Sequence, residues 1–380
     1  MLDVDADGTS RVSRLGSDER VVHADLHNHT RISDGKGEPE RAFASLRAAG
    51  LDVAALTDHA VLASMLGKLV ALPLNPLTGI DQRSWQQLRE LADAADEDGA
   101  FVALRGFEWS SPVRGHVNVW GTDDYTDPLH DFGWGLGRLY DWLTSPDGRQ
   151  GLASFNHPGG RFDSFVLGGF ALRPAARDQL VALEVFNTRE DYVFRVSGRG
   201  RRSPLCRCLD AGWRPGLTGV TDEHGTDWGR PLGKGRTGLW VAGLTRALVR
   251  DALRARRAYA TRERGLRLDA TLAGVRMGSA VTTTGPARLR LDLGTAAPAD
   301  LQVQLLGTGP RLPTQLLTAP LTVPGDVLEI DVPAEVIAGA QGSWLVLRVA
   351  DLRAGDEPGA PAGWGRSVAY ASPWWLDRST

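Results

Sequence analysis

The amino-acid sequence predicts an α/β protein, a parallel sheet or barrel followed by a small antiparallel β domain. Three observations carry that reading. Over residues 21 to 256, short apolar runs alternate with segments of helical periodicity, the pattern of parallel strands joined by helices. After residue 257 the texture changes to Thr-, Val-, Leu-, Gly- and Pro-rich runs with two-residue alternation, as in "ARLRLDLG", "LQVQLLG" and "WLVLRVA". Such runs between Gly/Pro turns read as an antiparallel β-sandwich. Finally, 380 residues suffice for two domains, or for one large barrel with an appendage. The expected organisation is a polar extension over 1–20, an α/β domain over 21–264 and a β domain over 265–380.

Taken in order, the strand candidates of the first domain are "VVHADLH", "DVAALTDH", "FVALRGFEW", "HVNVWG", "GLASFNHP", "ALEVFN" and "PGLTGVTD". Between the first two, "PERAFASLRAAG" has Pro39 near its start and Gly50 as a stop signal, as a helix does. The stretch "SWQQLRELADAADEDG" spaces Trp85, Leu88, Leu91, Ala92 and Ala95 helically, from Ser84 to a stop at Gly99. "TRALVRDALRAR" closes the region. No internal repeat or low-complexity tract interrupts it.

The composition is that of a globular protein, 42% hydrophobic and 23% charged. A net charge of −3 gives no electrostatic footing for nucleic acid or an anionic membrane as partner. The start of the chain is polar, without the apolar core of a secretory signal. The apolar stretch Leu62 to Leu77 is broken by Lys68, Pro73, Asn75 and Pro76, so it is not a membrane span. The only two cysteines, Cys206 and Cys208, lie two apart in a helix-like segment and are poorly placed to bridge each other. Reduced thiols packed in a helix, and a cytoplasmic protein, are expected.

Six of the eight histidines belong to motifs that sit at strand ends. "ADLHNHT" carries His27 and His29, "AALTDH" Asp58 and His59, "LRGFEWS" Glu108, "GHVNVW" His116, "ASFNHPG" His157, and "GVTDEHG" Asp222 and His224. In α/β barrels the carboxyl ends of parallel strands share one face, where active sites are built, so residues far apart in sequence converge. Imidazoles and carboxylates without cysteine suit Zn, Mn or Fe and argue against a structural thiolate site. His27 and His29 point to one side of an extended strand and can share an ion. Each residue alone reads as a cap or a hydrogen-bonded core group; their recurrence at equivalent strand ends carries the metal reading. His23 and His130 lie outside the set and read as structural.

The ordered motifs "HADLHNHTRISDG", "ALTDH", "GFEW", "GHVN", "NHP" and "TDEH" resemble the PHP family, named for polymerase and histidinol phosphatase, over about residues 21 to 260. The later "RAYATRERGLRLDATLAGVRMGS" and "YASPWWL" resemble its CehA/McbA-type branch, which carries a C-terminal β domain. The resemblance implies a distorted seven-stranded (β/α)7 barrel and two to three divalent ions, Mn, Zn or Fe. One ion would be held by His27, His29, Glu108 and Asp222. A second would share Glu108 and add His116 and His157, and a third would be held by Asp34, His59 and His224. Asp58 would orient a ligand imidazole, and Asp25 has the side-chain parity to do the same.

The implied activity is a metal-dependent phosphatase or phosphodiesterase on a small-molecule phosphoester, working through a metal-bridging hydroxide, with Glu108, Asp222 and His224 as catalytic residues. Hydrolysis of a carbamate, ester or amide is the alternative, because the branch includes carbaryl hydrolase. A metal-loaded binding or scaffold protein is the non-enzymatic one. An exonuclease is disfavoured by the lack of a basic channel. Arg161, Arg189, Arg230 and Arg262 stand beside the motifs as candidate substrate clamps, against a reading as ion-pair or surface arginines. Trp109 and Trp228 would wall the pocket or pack in the core. The apolar, Pro-punctuated segment from Val61 to Ser84 would be a lid or a packed insertion.

Overall fold

A computed structural model describes residues 11–60, 79–111, 114–128, 135–159, 169–196, 202–229, 233–294, 300–321 and 327–377. The expected lid falls mostly on 61–78, outside the described residues, as do His130, Arg161 and Arg230. The strands are β1 (Arg20–Asp25), β2 (Val53–Leu56), β3 (His59–Ala60), β4 (Val102–Ser111), β5 (Gly115–Trp120), β6 (Leu152–Phe155), β7 (Leu180–Asn187), β8 (Glu190–Asp191), β9 (Gly216–Val220), β10 (Arg236–Val241) and β11 (Ala258–Thr261). The C-terminal ones are β12 (Leu268–Leu272), β13 (Val275–Arg276), β14 (Ala280–Val281), β15 (Ala287–Leu293), β16 (Leu301–Gly307), β17 (Thr314–Leu321), β18 (Val327–Val332), β19 (Trp344–Asp351), β20 (Arg366–Ala371) and β21 (Trp374–Leu376). Among the described residues the α-helices are α1 (Pro39–Ala48), α2 (Gln82–Ala95), α3 (Leu136–Thr144), α4 (Pro204–Asp210), α5 (Arg246–Arg254) and α6 (Ala334–Gly339). The molecule is thus mixed α/β, rich in sheet and poor in helix.

All seven predicted strands of the first region form, but they are not uniformly parallel. The ladder runs β10–β1–β2–β4–β5–β6–β7–β9, and β5 is antiparallel to both β4 and β6. Only residues 112–114 join β4 to β5, far short of the dozen or more that a parallel crossover needs. The first and last members of the run approach each other. Asn28 bridges Glu223 just beyond β1 and β9, and Gly219 of β9 meets Thr237 of β10 through the threonine hydroxyl.

Helix α2 starts two residues earlier than the sequence suggests. Asp81 is its cap, accepting from the Ser84 N–H at 2.8 Å, while the Ser84 hydroxyl accepts from the Asp81 N–H. It ends at Ala95 rather than near Gly99. Trp85, Leu88 and Ala92 form its buried stripe, as their spacing predicts. Cys206 and Cys208 lie in α4, free and buried. No helix among the described residues is long and apolar enough to cross a membrane.

The C-terminal strands are antiparallel apart from the short β14–β21 pair, and fall into two groups. One is the sheet β13–β12–β15–β18; the other is β17–β16–β19–β20. Leu289 and Leu291 of the first share a core with Val303, Leu305, Leu345 and Leu347 of the second. Strand β19 is buried on both faces, because Trp344 and Val346 pack instead into the larger core with β4 and β7. Strand β20 pairs with β11, so one hydrogen-bonded sheet runs from the first strands into the last. The N-terminal segment also reaches the later strands: the Ser13 hydroxyl donates to Asp269 and Arg14 pairs with Asp292.

Candidate metal centre

One end of the first-region strands carries every motif residue. His27 and His29 follow β1, His59 opens β3 after Asp58, His157 follows β6, and Asp222 and His224 follow β9. Glu108 lies within β4, where it pairs in register with His59. His116 reaches the same end for the opposite reason: it is the second residue of β5, whose direction is reversed. Asp34 sits on the loop after His29, held by the Gly35 N–H donating to the Thr30 carbonyl at 2.9 Å.

The nine residues come together around Glu108. His27 Nε2 lies 3.0 Å from His29 Nε2, 3.3 Å from Glu108 Oε1 and 3.3 Å from Asp222 Oδ1. His29 Nε2 lies 3.2 Å from Asp222 Oδ1 and 3.6 Å from Glu108 Oε2. At the same carboxylate, His116 Nδ1 and His157 Nε2 are each 3.2 Å from Oε1, and His59 Nδ1 is 2.7 Å from Oε2. The third group joins Asp34 Oδ1 to His224 Nε2 at 3.2 Å and to His59 Nε2 at 3.5 Å. The partition is less sharp than the motifs imply. His29 lies close enough to join Asp34, His59 and His224, and His59 close enough to join Glu108 and His116.

These spacings suit a cation. With metal–donor distances near 2.1 Å, neighbouring donors around an octahedral or tetrahedral ion lie about 3.0–3.4 Å apart. Asp222 Oδ1 and His116 Nδ1 are buried and meet their cluster neighbours without well-aligned hydrogen bonds, an arrangement that a charge among them would stabilise. The imidazoles and carboxylates of the cluster also shift one another. Burial pushes the Glu108 carboxyl up, but His116, His27 and His59 outweigh it and hold it well below the usual range. Burial likewise opposes ionisation of Asp222, and His27 and His29 overcome it. Both carboxylates are therefore held charged. Burial, with His59 close by, presses His29 down to about 3.

Residues other than the nine donors hold those donors in place. Glu184, in the middle of β7, has Oε1 2.7 Å from His27 Nδ1, and its Oε2 accepts from the His157 main-chain N–H at 2.7 Å. Asn156 donates to Glu108 Oε1 at 2.8 Å. Ser110 Oγ lies 2.6 Å from His59 Nδ1. The indole of Trp228 donates to the His29 carbonyl at 3.1 Å, and Trp109 and Trp228 are both buried. The signal for Glu184 was a lone carboxylate in the otherwise apolar "ALEVFN"; a buried charge needs partners. His157 and Asp222 have φ of 28° and 50°, left-handed backbone that non-glycine residues adopt reluctantly and that clusters at functional sites.

Three expectations are corrected, the first two for buried aspartates. Asp58 does not bond an imidazole; its carboxylate accepts from the N–H and hydroxyl of both Thr30 and Ser33, tying down the loop that carries Asp34. Asp25 accepts from the N–H and hydroxyl of Thr221 rather than from His27. In both cases a nearby hydroxyl and amide supplied the partners, which side-chain parity cannot foresee. Arg262 is buried and spends two nitrogens on Glu357, at 2.7 and 3.2 Å, so it is a structural ion pair rather than a clamp. Arg189 is exposed, and its carbonyl accepts from Arg262 at 2.9 Å.

Fold and site together define a mixed α/β protein with a multi-histidine, multi-carboxylate cluster able to hold divalent metal. No protein-family model and no curated protein matches the chain. Among solved structures, it is similar to a two-domain protein containing a predicted PHP-like metal-dependent phosphoesterase from Bacteroides vulgatus. The identity is 17%, the TM-score 0.46, and the match covers 94% of this chain and 96% of that one. It is also similar to a protein of Bifidobacterium adolescentis, assigned by inference as a metal-dependent phosphoesterase, at 16% identity and a TM-score of 0.32, covering 60% of this chain and 95% of the other.

Proposed function

We propose that the chain is a metal-dependent hydrolase of the PHP type, acting as a phosphatase or phosphodiesterase on small-molecule phosphoesters. The observation that carries this reading is the convergence of His27 Nε2, His29 Nε2, Glu108 and Asp222 Oδ1 at 3.0–3.6 Å. Glu184 at His27 Nδ1 leaves the Nε2 lone pair pointing at those other acceptors. A divalent cation among them would meet all four at once.

Bound ions would supply Lewis acidity, lowering the pKa of a coordinated water and neutralising charge on phosphoryl oxygens. The protein's own share is orientation. Glu108 is wholly buried and faces imidazoles from both flanks, so it would be the shared carboxylate of two ions. Asp34 and His224 are the most open members of the cluster, with side chains 49% and 37% exposed. Substrate oxygens would therefore approach from their side, with Asp222 and His224 nearest the reacting atoms. Arg161, Arg189 and Arg230 remain proposed substrate-binding residues on their place beside the motifs. A distorted barrel of seven strands over 21–264, with a sandwich after 265, is the architecture this proposal carries. The buried free thiols of Cys206 and Cys208 support a reducing, cytoplasmic setting.

Two measurements test the function. Elemental analysis of protein made in Mn-, Zn- or Fe-supplemented medium should find about two to three ions per chain, and His27→Ala with His29→Ala should lower that number and abolish turnover while the chain stays folded. Metal-free protein with full activity under chelator would overturn the assignment. The metal-loaded protein should hydrolyse a nitrophenyl phosphate faster than a naphthyl carbamate. The reverse order would move the reading to hydrolysis at carbon, and no turnover on either class would move it to a metal-loaded binding protein.

A further inference from the structure

We infer that Glu184 is a positioning residue that couples two of the metal subsites, an inference that rests on the metal reading above. Its side chain is 1% exposed in a strand whose neighbours, Leu183 and Val185, are core residues. Its described partners include no lysine or arginine; they are His27 Nδ1, the His157 N–H and, at 2.9 Å, the side-chain amide of Asn187. The β7–β9 ladder slips between Glu184 and Phe186. Irregular strand pairing of this kind recurs beside active sites.

Each carboxylate oxygen has a separate task. Oε1 accepts from the Nδ1–H of His27, which fixes the tautomer and directs Nε2 toward His29, Glu108 and Asp222. Oε2 holds the N–H of His157, whose left-handed backbone presents Nε2 to Glu108 Oε1 at 3.2 Å. One carboxylate thus sets the His27 side and the His157 side together. It makes no hydrogen bond to Asp34, His59 or His224 among the described residues.

Glutamine cannot replace it. An amide offers one oxygen and one NH2 group, so in either orientation the NH2 faces a donor, the His27 Nδ1–H or the His157 N–H. Glu184→Gln is therefore expected to weaken uptake of Zn2+ at these two subsites by about 10- to 100-fold, leaving the Asp34–His59–His224 subsite as it was.

The experiment is a Zn2+ titration of the full chain against a chromophoric chelator, with elemental analysis after dialysis and thermal unfolding in chelator. Support is a Glu184→Gln protein that unfolds in chelator as the wild type does, loses the equivalents of two subsites and keeps one. Glu184→Asp, which keeps the charge but withdraws the oxygens by about 1.5 Å, should lose the same equivalents. It serves as the measurement should the glutamine variant fail to fold. Unchanged affinity and stoichiometry in Glu184→Gln, or full uptake in Glu184→Asp, would overturn the positioning role while the metal reading stands. A uniform loss of all equivalents with lowered stability in chelator would also overturn it, because that is the mark of a merely structural residue. A wild-type chain that takes up no Zn2+, Mn2+ or Fe2+ overturns the metal reading and this inference with it.

Discussion

Replacing Asp58 by alanine and by asparagine separates two roles for this carboxylate. It is fully buried. Oδ1 accepts from the Thr30 N–H at 2.8 Å, the Ser33 N–H at 3.1 Å and the Ser33 hydroxyl at 2.7 Å, and Oδ2 accepts from the Thr30 hydroxyl at 2.9 Å. Alanine leaves two main-chain N–H groups buried without an acceptor, at about 1–3 kcal/mol each. The two hydroxyls can turn elsewhere, so the total is about 4 kcal/mol, at the severe end for a single substitution. Asparagine keeps Oδ1 for the three donors, and its NH2 meets a Thr30 hydroxyl that can turn to accept. Burial also pushes the Asp58 carboxyl up against its hydrogen bonds, a penalty that a neutral amide escapes. The loss for asparagine should be about 1 kcal/mol, the charge assistance of the bonds.

Thermal unfolding in chelator reads both variants. Asp58→Ala should lower Tm by on the order of 5 °C or more, and Asp58→Asn by about 2 °C or less. Zn2+ affinity of the asparagine variant should stay close to that of the wild type. An asparagine variant of normal stability in chelator that had lost Zn2+ affinity 10-fold or more would refute the argument. It would mean that the carboxylate acts on an imidazole after all.

Two further outcomes are expected. Arg262→Met leaves Glu357, whose side chain is 2% exposed, without its bidentate partner and with the more distant Arg366 at 3.8 Å. It should cost about 3–5 kcal/mol in urea unfolding, and adding Glu357→Gln should recover much of that; a raised KM at unchanged stability would instead restore Arg262 as a substrate clamp. Cys206 and Cys208 should react with a thiol reagent only on unfolding. Burial pushes the Cys206 thiol up to about 11 and that of Cys208 well above its ordinary value, and the thiol form is the unreactive one. Rapid labelling of the folded chain would contradict that placement.

Much of this molecule is readable without coordinates, because its signals are local. Periodicity in short windows locates the strands from "VVHADLH" to "PGLTGVTD" and the buried stripe of α2. The donor types and their recurrence at strand ends point to a metal centre before any distance is known. Even the reversal of β5, which the parallel reading missed, was implicit in the six residues between "FVALRGFEW" and "HVNVWG", too few for a parallel crossover.

Tertiary structure decided the partners. Side-chain parity offered Asp25 to an imidazole, and the family resemblance offered Asp58; packing placed the hydroxyls of Thr221, Thr30 and Ser33 against them first. Arg262 finds Glu357 across 95 residues because β11 pairs with β20, a register that no local pattern encodes. Glu184, 157 residues from His27, reaches it because the ladder of strands brings the middle of β7 beside the end of β1. The sequence by itself determined which chemistry could gather at one end of the strands. The long-range pairing of the folded chain decided which carboxylates would face the histidines and which would hold the loops beneath them.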